Sequence, residues 1–406
     1  MLRSFPAFAF IFLMTVLGCS NSGDNSTQSA KNSGMIQNNS LTSCQGLDPT
    51  GCAPWNSYGG NYTLPTIFFP NQADPWYRPI ENPNDTDRNS QAFLDSHMGV
   101  HDTAYRGPRD VLVECSLPYN VIDSKTDKIS YIEVKGISDN KEADPNSDND
   151  YDDPSGCKRI PCPDNMRFQN ERWEKDPSPD AEKLDHHLLV YDKGVDTLYE
   201  VYQLRHQKVG RWSCGHKGFA VFARKAAQPR SIIFPTYHTS ADAAGFAILP
   251  GLLRHEELED EINHALRITF SHTFQGFVSP ATHFTTTGPK NGFRLPMGAR
   301  LRLRDTVDER RYPPKVQRIL RCLKRYGAIV ADNGTPFALS ATDDCAFYNQ
   351  TDLPGYRCSS DGNSFVLAAD ISITIRIRAN DFLVMRLHNI QNWEGRTLTD
   401  SDQMKE

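Results

Sequence analysis

The chain lacks the short motifs that announce a bound nucleotide or a ready-made nucleophile. It contains no Gly-x-Gly-x-x-Gly fingerprint, no P-loop, no Gly-x-Ser-x-Gly elbow and no His-Glu-x-x-His helix. Dinucleotide enzymes, nucleotide hydrolases, elbow-type serine hydrolases and the common zinc proteases therefore lose their usual support. Basic residues are not in excess: 44 Lys and Arg face 50 Asp and Glu, for a net charge of -6. That balance argues against nucleic acid as a partner. No apolar run after the first 18 residues approaches the roughly 20 residues that a membrane-crossing helix needs. Helical periodicity is scarce as well, since one segment carries nearly all of it.

What is present begins at the N-terminus, MLRSFPAFAFIFLMTVLGCS. Arg3 supplies a positive start, and Phe5 to Leu17 form an apolar stretch too short to span a bilayer. Val16-Leu17-Gly18-Cys19 fits the bacterial lipobox, so residues 1–18 are expected to be a cleaved signal peptide and the Cys19 thiol the lipid attachment point. Ser20, rather than an aspartate, follows the cysteine, which points to the outer membrane or the cell surface. Residues 19–43, lipidated cysteine included, are Ser- and Asn-rich and poor in aromatics, a composition that suits a disordered linker. The expected organisation after that is a single elaborated domain over 44–406. It divides into a loop-rich part (44–184), a core (185–340) and C-terminal strands (341–406).

An exported protein can keep disulfides. Ten cysteines less Cys19 leave nine. Cys44 with Cys52, Cys157 with Cys162, and Cys345 with Cys358 are close enough in sequence to staple loops, and Cys115 could reach Cys214 over a longer range. Cys322 lies among leucines and reads as a buried thiol. No cofactor is expected. The acidic run 138–156 has the spaced aspartates of a calcium loop but not the glycine and closing glutamate of an EF-hand, so a solvated loop comes first and Ca2+ second.

Short strand-like runs dominate. Alternation or β-branched content marks Val111–Cys115, Ile129–Val134, Phe219–Phe222, Ser231–Phe234, His264–Phe270, Ala299–Arg304, Ala328–Ala331, Ser364–Leu367, Ile371–Ile377 and Phe382–Leu387. A hairpin is expected about Lys193-Gly194, with Glu200 on one sheet face. A short capped helix is expected after Asn82, with Asp87 or Asn89 as its cap. The substantial helix is Lys315–Gly327, where Val316, Ile319, Leu320 and Leu323 make one stripe and Pro and Gly punctuate the ends. The expected fold is mainly β, a β-sandwich or jelly roll with one substantial helix and long loops.

Recurrent short motifs add a second line. They are Asp185/His187, Leu198-Tyr199-Glu200, Ser240 to Gly245, Pro250-Gly251-Leu252, His264 to Arg267, Pro280/Ala281/His283, Pro296 to Arg300, Tyr326-Gly327 and Ala331 to Gly334. In this combination the chain resembles an uncharacterised family of exported bacterial proteins. The resemblance covers roughly Asp185 to Ser340, with a weaker echo over Asn82 to Gly99. It departs at Glu261, at Ala328 and at Thr335-Pro336-Phe337. It implies a common fold and supplies no reaction.

The polar side chains of this region are the site candidates. Glu200, Asp242, His264 and His283 supply the acids and bases of a catalytic set, with His187, Arg267 and Arg300 as substrate-binding partners. Two carboxylates suit glycoside hydrolysis. Histidine with arginine suits proton removal next to a uronate. A structural polar network explains any one of these residues equally well. Two readings stay open. One is a lipid-anchored carbohydrate-active enzyme, hydrolase or lyase, acting on polysaccharide. The other is a non-catalytic surface module that binds glycan or protein, for which Trp76, Tyr77 and Trp212 are the aromatic candidates.

Overall fold

The computed structural model describes residues 75–97, 110–133, 159–162, 167–169, 185–202, 204–208, 211–214, 222–225, 242–343, 356–359, 362–369 and 375–405. All belong to one unit, Thr42–Glu406. In chain order the strands begin with β1 (Leu112–Leu117), β2 (Asn120–Ile122), β3 (Ser130–Glu133), β4 (Arg159–Cys162), β5 (Leu188–Asp192) and β6 (Thr197–Val201). Next come β7 (Leu204–Lys208), β8 (Arg211–Cys214), β9 (Phe222–Lys225), β10 (Leu266–Phe270), β11 (Gly276–Phe277) and β12 (Arg300–Leu303). The last are β13 (Ala328–Asn333), β14 (Ala338–Thr342), β15 (Tyr356–Ser359), β16 (Gly362–Val366), β17 (Phe382–Val384), β18 (Ile390–Asn392) and β19 (Thr397–Leu398). Helix α1 is Ser90–His97 and α2 is Pro314–Arg325. The fold is mainly β with one substantial helix, as the strand-rich pattern predicts.

The largest sheet has eight strands in the order β15-β16-β1-β14-β10-β13-β12-β17. It is mixed: β1 runs parallel to β14 and β10 parallel to β13, while its other pairs are antiparallel. A second sheet runs β2-β5-β6-β9, and a third β11-β18-β19. Two ribbons, β3 with β4 and β7 with β8, complete the pairings. Strand β14 has no counterpart among the sequence expectations. Its segment, ALSAT, contains one large apolar residue, yet every position is buried because it lies between β1 and β10. The run Ser231–Phe234 falls outside the described residues, as do most of Ile371–Ile377 and of Phe219–Phe222.

Helix α2 follows from its sequence. Val316, Ile319, Leu320 and Leu323 are spaced to share one face, and all four are buried. That face packs against β12. Pro314 suits the first turn, where its missing N–H costs nothing. The helix stops because Tyr326 and Gly327 both donate their amides to the Cys322 carbonyl, and Gly327 then turns to φ +73. A Cβ at Gly327 would lie 2.3 Å from the Leu301 carbonyl oxygen, so no larger residue fits. Ahead of α1, Asp87 Oδ1 accepts the Asn89 amide at 2.9 Å and the Asp87 carbonyl accepts the Ser90 amide at 3.0 Å.

The expected hairpin forms as β5 and β6, joined by a four-residue turn, Lys193 to Asp196. Cys115 and Cys322 are buried thiols, so the long-range bridge from Cys115 to Cys214 is not made. Cys19, Cys44, Cys52, Cys157 and Cys345 lie outside the described residues, as do the side chains of Cys162 and Cys358 and the acidic run 138–156. Among the described residues no helix is long and apolar enough to cross a membrane, and no group of His, Cys, Asp and Glu is arranged to hold a metal.

Candidate functional site

One face of the large sheet carries a polar row. Ser340 on β14 registers against Glu114 on β1. Beyond Ser340 comes Arg267 on β10, whose Nη1 donates to Ser340 Oγ at 2.7 Å. The residues on either side of the row point the other way into the apolar core, Val113 and Cys115 on β1, Leu339 and Ala341 on β14, Leu266 and Ile268 on β10. Alternation along three strands therefore lines polar groups up across the sheet, and Arg267 is where they meet.

Arg267 is 5 % exposed and fully occupied. Its Nε donates to Asp242 Oδ2 at 3.1 Å and its Nη2 to Asp332 Oδ2 at 2.9 Å, with a longer contact of 3.4 Å from Nη2 to Asp242 Oδ1. Burial opposes the guanidinium charge, and Asp242 and Asp332 more than restore it, so its pKa stands above the ordinary arginine value. Asp242 is completely buried on the turn that Gly245 closes by donating its amide to the Asp242 carbonyl. Asp332 sits at the carboxyl end of β13 with 20 % of its side chain exposed. Burial holds the Asp332 carboxyl well above the usual carboxylate range, with Asp242 and Asp185 adding to the rise and Arg267 opposing it.

Asp185 completes the group. It is a solvent-accessible residue, yet its carboxyl is crowded by protein, and that crowding raises its pKa against the pull of Arg267 and a hydrogen bond from Tyr202. The His187 ring lies 5.2 Å from the Tyr202 ring and is buried. Burial, then Arg267 and His186, lower its pKa to about 3, so the imidazole is neutral. Its Nδ1 has no hydrogen-bond partner among the described residues. The cluster thus holds three carboxyl groups, one guanidinium and a neutral imidazole. Burial is the main reason the Asp185 and Asp332 carboxyls are raised, and at Asp332 the neighbouring Asp242 and Asp185 add to it.

The expected catalytic set separates in space. Asp242 and Arg267 are in contact. His283 hangs from the same turn, Nδ1 donating to the Ala243 carbonyl at 2.7 Å. Glu200 is fully buried on β6, and its carboxyl accepts the Ile248 amide (2.8 Å to Oε2, 3.0 Å to Oε1) and the Leu249 amide (2.9 Å). Burial pushes Glu200 up to about 8, the two amides and Arg267 opposing, Asp242 adding. Glu200 is therefore within electrostatic reach of the cluster but is spent on holding the 248–249 backbone.

His264 belongs to a different buried group. Its Nε2 donates to Glu257 Oε1 at 3.0 Å and its Nδ1 to the Ala265 carbonyl at 2.9 Å. Arg254 pairs with the same Glu257 carboxylate. Burial works against the Glu257 charge, and Arg254 and His264 more than offset it, leaving the pKa below the ordinary value. Arg300 donates to the carbonyls of Pro75 (2.9 Å) and Arg78 (2.8 Å), and burial with Arg78 lowers it to about 10. It ties down the segment at Pro75 and is not part of the Arg267 cluster's hydrogen bonding. Trp76, an expected binding aromatic, is buried against Phe246. Asp332 and Asp185 were legible only as members of recurrent motifs, and nothing in their spacing marks them as a pair.

No protein-family model matches this chain, and neither a curated protein nor a solved structure matches it.

Proposed function

We propose that this is a lipid-anchored envelope protein whose Arg267 cluster is the acid–base centre of a glycan-cleaving hydrolase. One observation carries the catalytic part: Asp332 pairs with Arg267 at 2.9 Å, Asp185 lies within electrostatic reach of the same guanidinium, both carboxyls are shifted toward the proton-bearing form, and both residues keep some exposure. Two interacting acids give up their protons in separate steps. In the singly protonated state the proton resides on Asp332, and the anion on Asp185 is favoured by Tyr202 and Arg267. Asp332 then donates its proton to the glycosidic oxygen as the C–O bond breaks. A water adds to the anomeric carbon and gives its proton to Asp185. Exchange with solvent returns both groups to their starting states. Asp242 is buried and paired, so its part is to hold Arg267.

The same geometry favours hydrolysis over elimination. A lyase needs a cation free to neutralise the uronate carboxylate. Arg267 has none to spare, because Asp242, Asp332 and Ser340 occupy its nitrogens. The sugar at the scissile bond is therefore expected to be uncharged. Asp332→Asn should abolish cleavage of a neutral polysaccharide while the melting temperature stays close to wild type, since the side chain is part-exposed. Wild-type activity should fall on the alkaline side as Asp332 loses its proton. Undiminished cleavage by the variant, or release of unsaturated products, would overturn the reading. Binding of glycan without turnover by either protein would favour the non-catalytic module.

A further inference from the structure

Trp393 is 40 % exposed, on a turn closed by hydrogen bonds to one side chain. Asn392 Oδ1 accepts the amides of Glu394 at 3.1 Å and Arg396 at 2.9 Å, and Gly395 takes φ +73 to close the turn. The Lys290 ammonium stands 3.6 Å from the centroid of the indole ring. That contact fixes the ring and lies within cation–π range. Lys290 forms no ion pair among the described residues, and its ammonium is placed against the indole ring.

This turn is joined to the acid cluster by a short run of hydrogen bonds. The Trp393 amide donates to the Gln275 carbonyl at 2.9 Å. Gln275 Nε2 donates to the carbonyls of Thr286 and Gly288, both at 2.7 Å. Asn333 Nδ2 donates to Thr285 Oγ1 and Thr287 Oγ1 of the same loop, at 2.6 Å and 2.9 Å. Asn333 follows Asp332 in β13. A buried glutamine and a partly buried asparagine thus splint one loop between Asp332 and the Trp393 turn.

We propose that Trp393 and Lys290 form an outlying subsite that holds an acidic sugar of the same glycan chain. This rests on the hydrolase reading of the Arg267 cluster. The indole presents a flat apolar face for the C–H face of a pyranose. In the free protein the ammonium stands over that ring, so an arriving sugar displaces it from the indole and the freed ammonium pairs with the carboxylate or sulfate, a charge that Arg267 cannot supply. The substrate is then a heteropolysaccharide, with an uncharged sugar at the bond cleaved and an acidic one at Trp393.

The test is calorimetric titration of the intact protein with two sets of soluble oligosaccharides. One set carries uronate residues, and the other is neutral and of the same length. The uronate set should bind more tightly to wild type, and more weakly as salt is raised. Trp393→Ala should weaken that binding about tenfold, the scale of one lost aromatic contact. Lys290→Gln should remove the preference for the uronate set, bringing its affinity to that of the neutral set. Asp332→Asn should keep the preference for the uronate set over the neutral one, which separates this subsite from the chemistry. Wild-type affinity in both Trp393→Ala and Lys290→Gln would overturn the subsite even if Asp332→Asn were inactive. Loss of binding in Trp393→Ala with full cleavage by Asp332→Asn would leave the subsite standing and overturn the assigned acid.

Discussion

Arg267 and Asp242, 25 residues apart in sequence, face each other across 3.1 Å with almost no solvent on either side. A buried pair of this kind contributes little net stability, but breaking it strands a charge. Arg267→Met should therefore cost about 3–5 kcal/mol in chemical denaturation. Adding Asp242→Asn should recover part of that loss, because a neutral amide needs no counter-charge. Simple additivity in the double variant would show that the two groups do not depend on each other.

Glu200 makes stability depend on pH in a stated direction. Its folded pKa, about 8, lies above the ordinary 4.5. The folded state therefore holds the proton more tightly than the unfolded chain. The associated stability is fully present below about pH 4.5 and is lost as pH rises to about 8, at roughly 1.4 kcal/mol per pH unit within that window. Glu200→Gln keeps an oxygen for the Ile248 and Leu249 amides and cannot ionise. Its unfolding free energy should vary less with pH between 5 and 8 than that of wild type, and the two curves should cross. Parallel curves would mean that Glu200 does not titrate in this range.

The packed face of α2 predicts a contrast between neighbouring residues. Leu320 and Leu323 are completely buried, so Leu320→Ala and Leu323→Ala should each cost ~2–5 kcal/mol. Arg321 reaches outward to Glu261, Nη2 to Oε1 at 2.8 Å, on the surface. Arg321→Ala should cost under about 1 kcal/mol. Thermal or urea unfolding of the three variants checks the assignment, and equal losses would refute it.

Anchoring through Cys19 is the remaining expectation. Cys19→Ser should leave the protein without acyl chains and move it from the membrane fraction to the soluble one. Metabolic labelling with a fatty acid, followed by fractionation, reads both effects at once. Retention of label or of membrane partitioning in the variant would remove the lipid-anchor proposal.

Local patterns were enough wherever the chain's structure depends on near neighbours. The stripe of α2, its proline and glycine ends, the β5–β6 hairpin and the predominance of strands all follow from spacing within a dozen residues. The four positions that its periodicity marks are all buried, and Cys322 joins them. Strand β14 was not legible this way, because small residues such as Ala338, Ser340 and Ala341 are buried only by virtue of the strands beside them. The site was not legible for a related reason. Asp242 and Asp332 reach Arg267 from 25 and 65 residues away: the pairing of β10 with β13 brings Asp332 there, and the Ala244 amide bonded to the Ala331 carbonyl brings the Asp242 turn. The sequence shows Glu200 and Asp242 as equivalent acids. Tertiary structure distinguishes them, since backbone amides take up one carboxyl and a guanidinium the other. What a carboxylate can do depends on its neighbours in space, and those are chosen by long-range register rather than by any local run of residues.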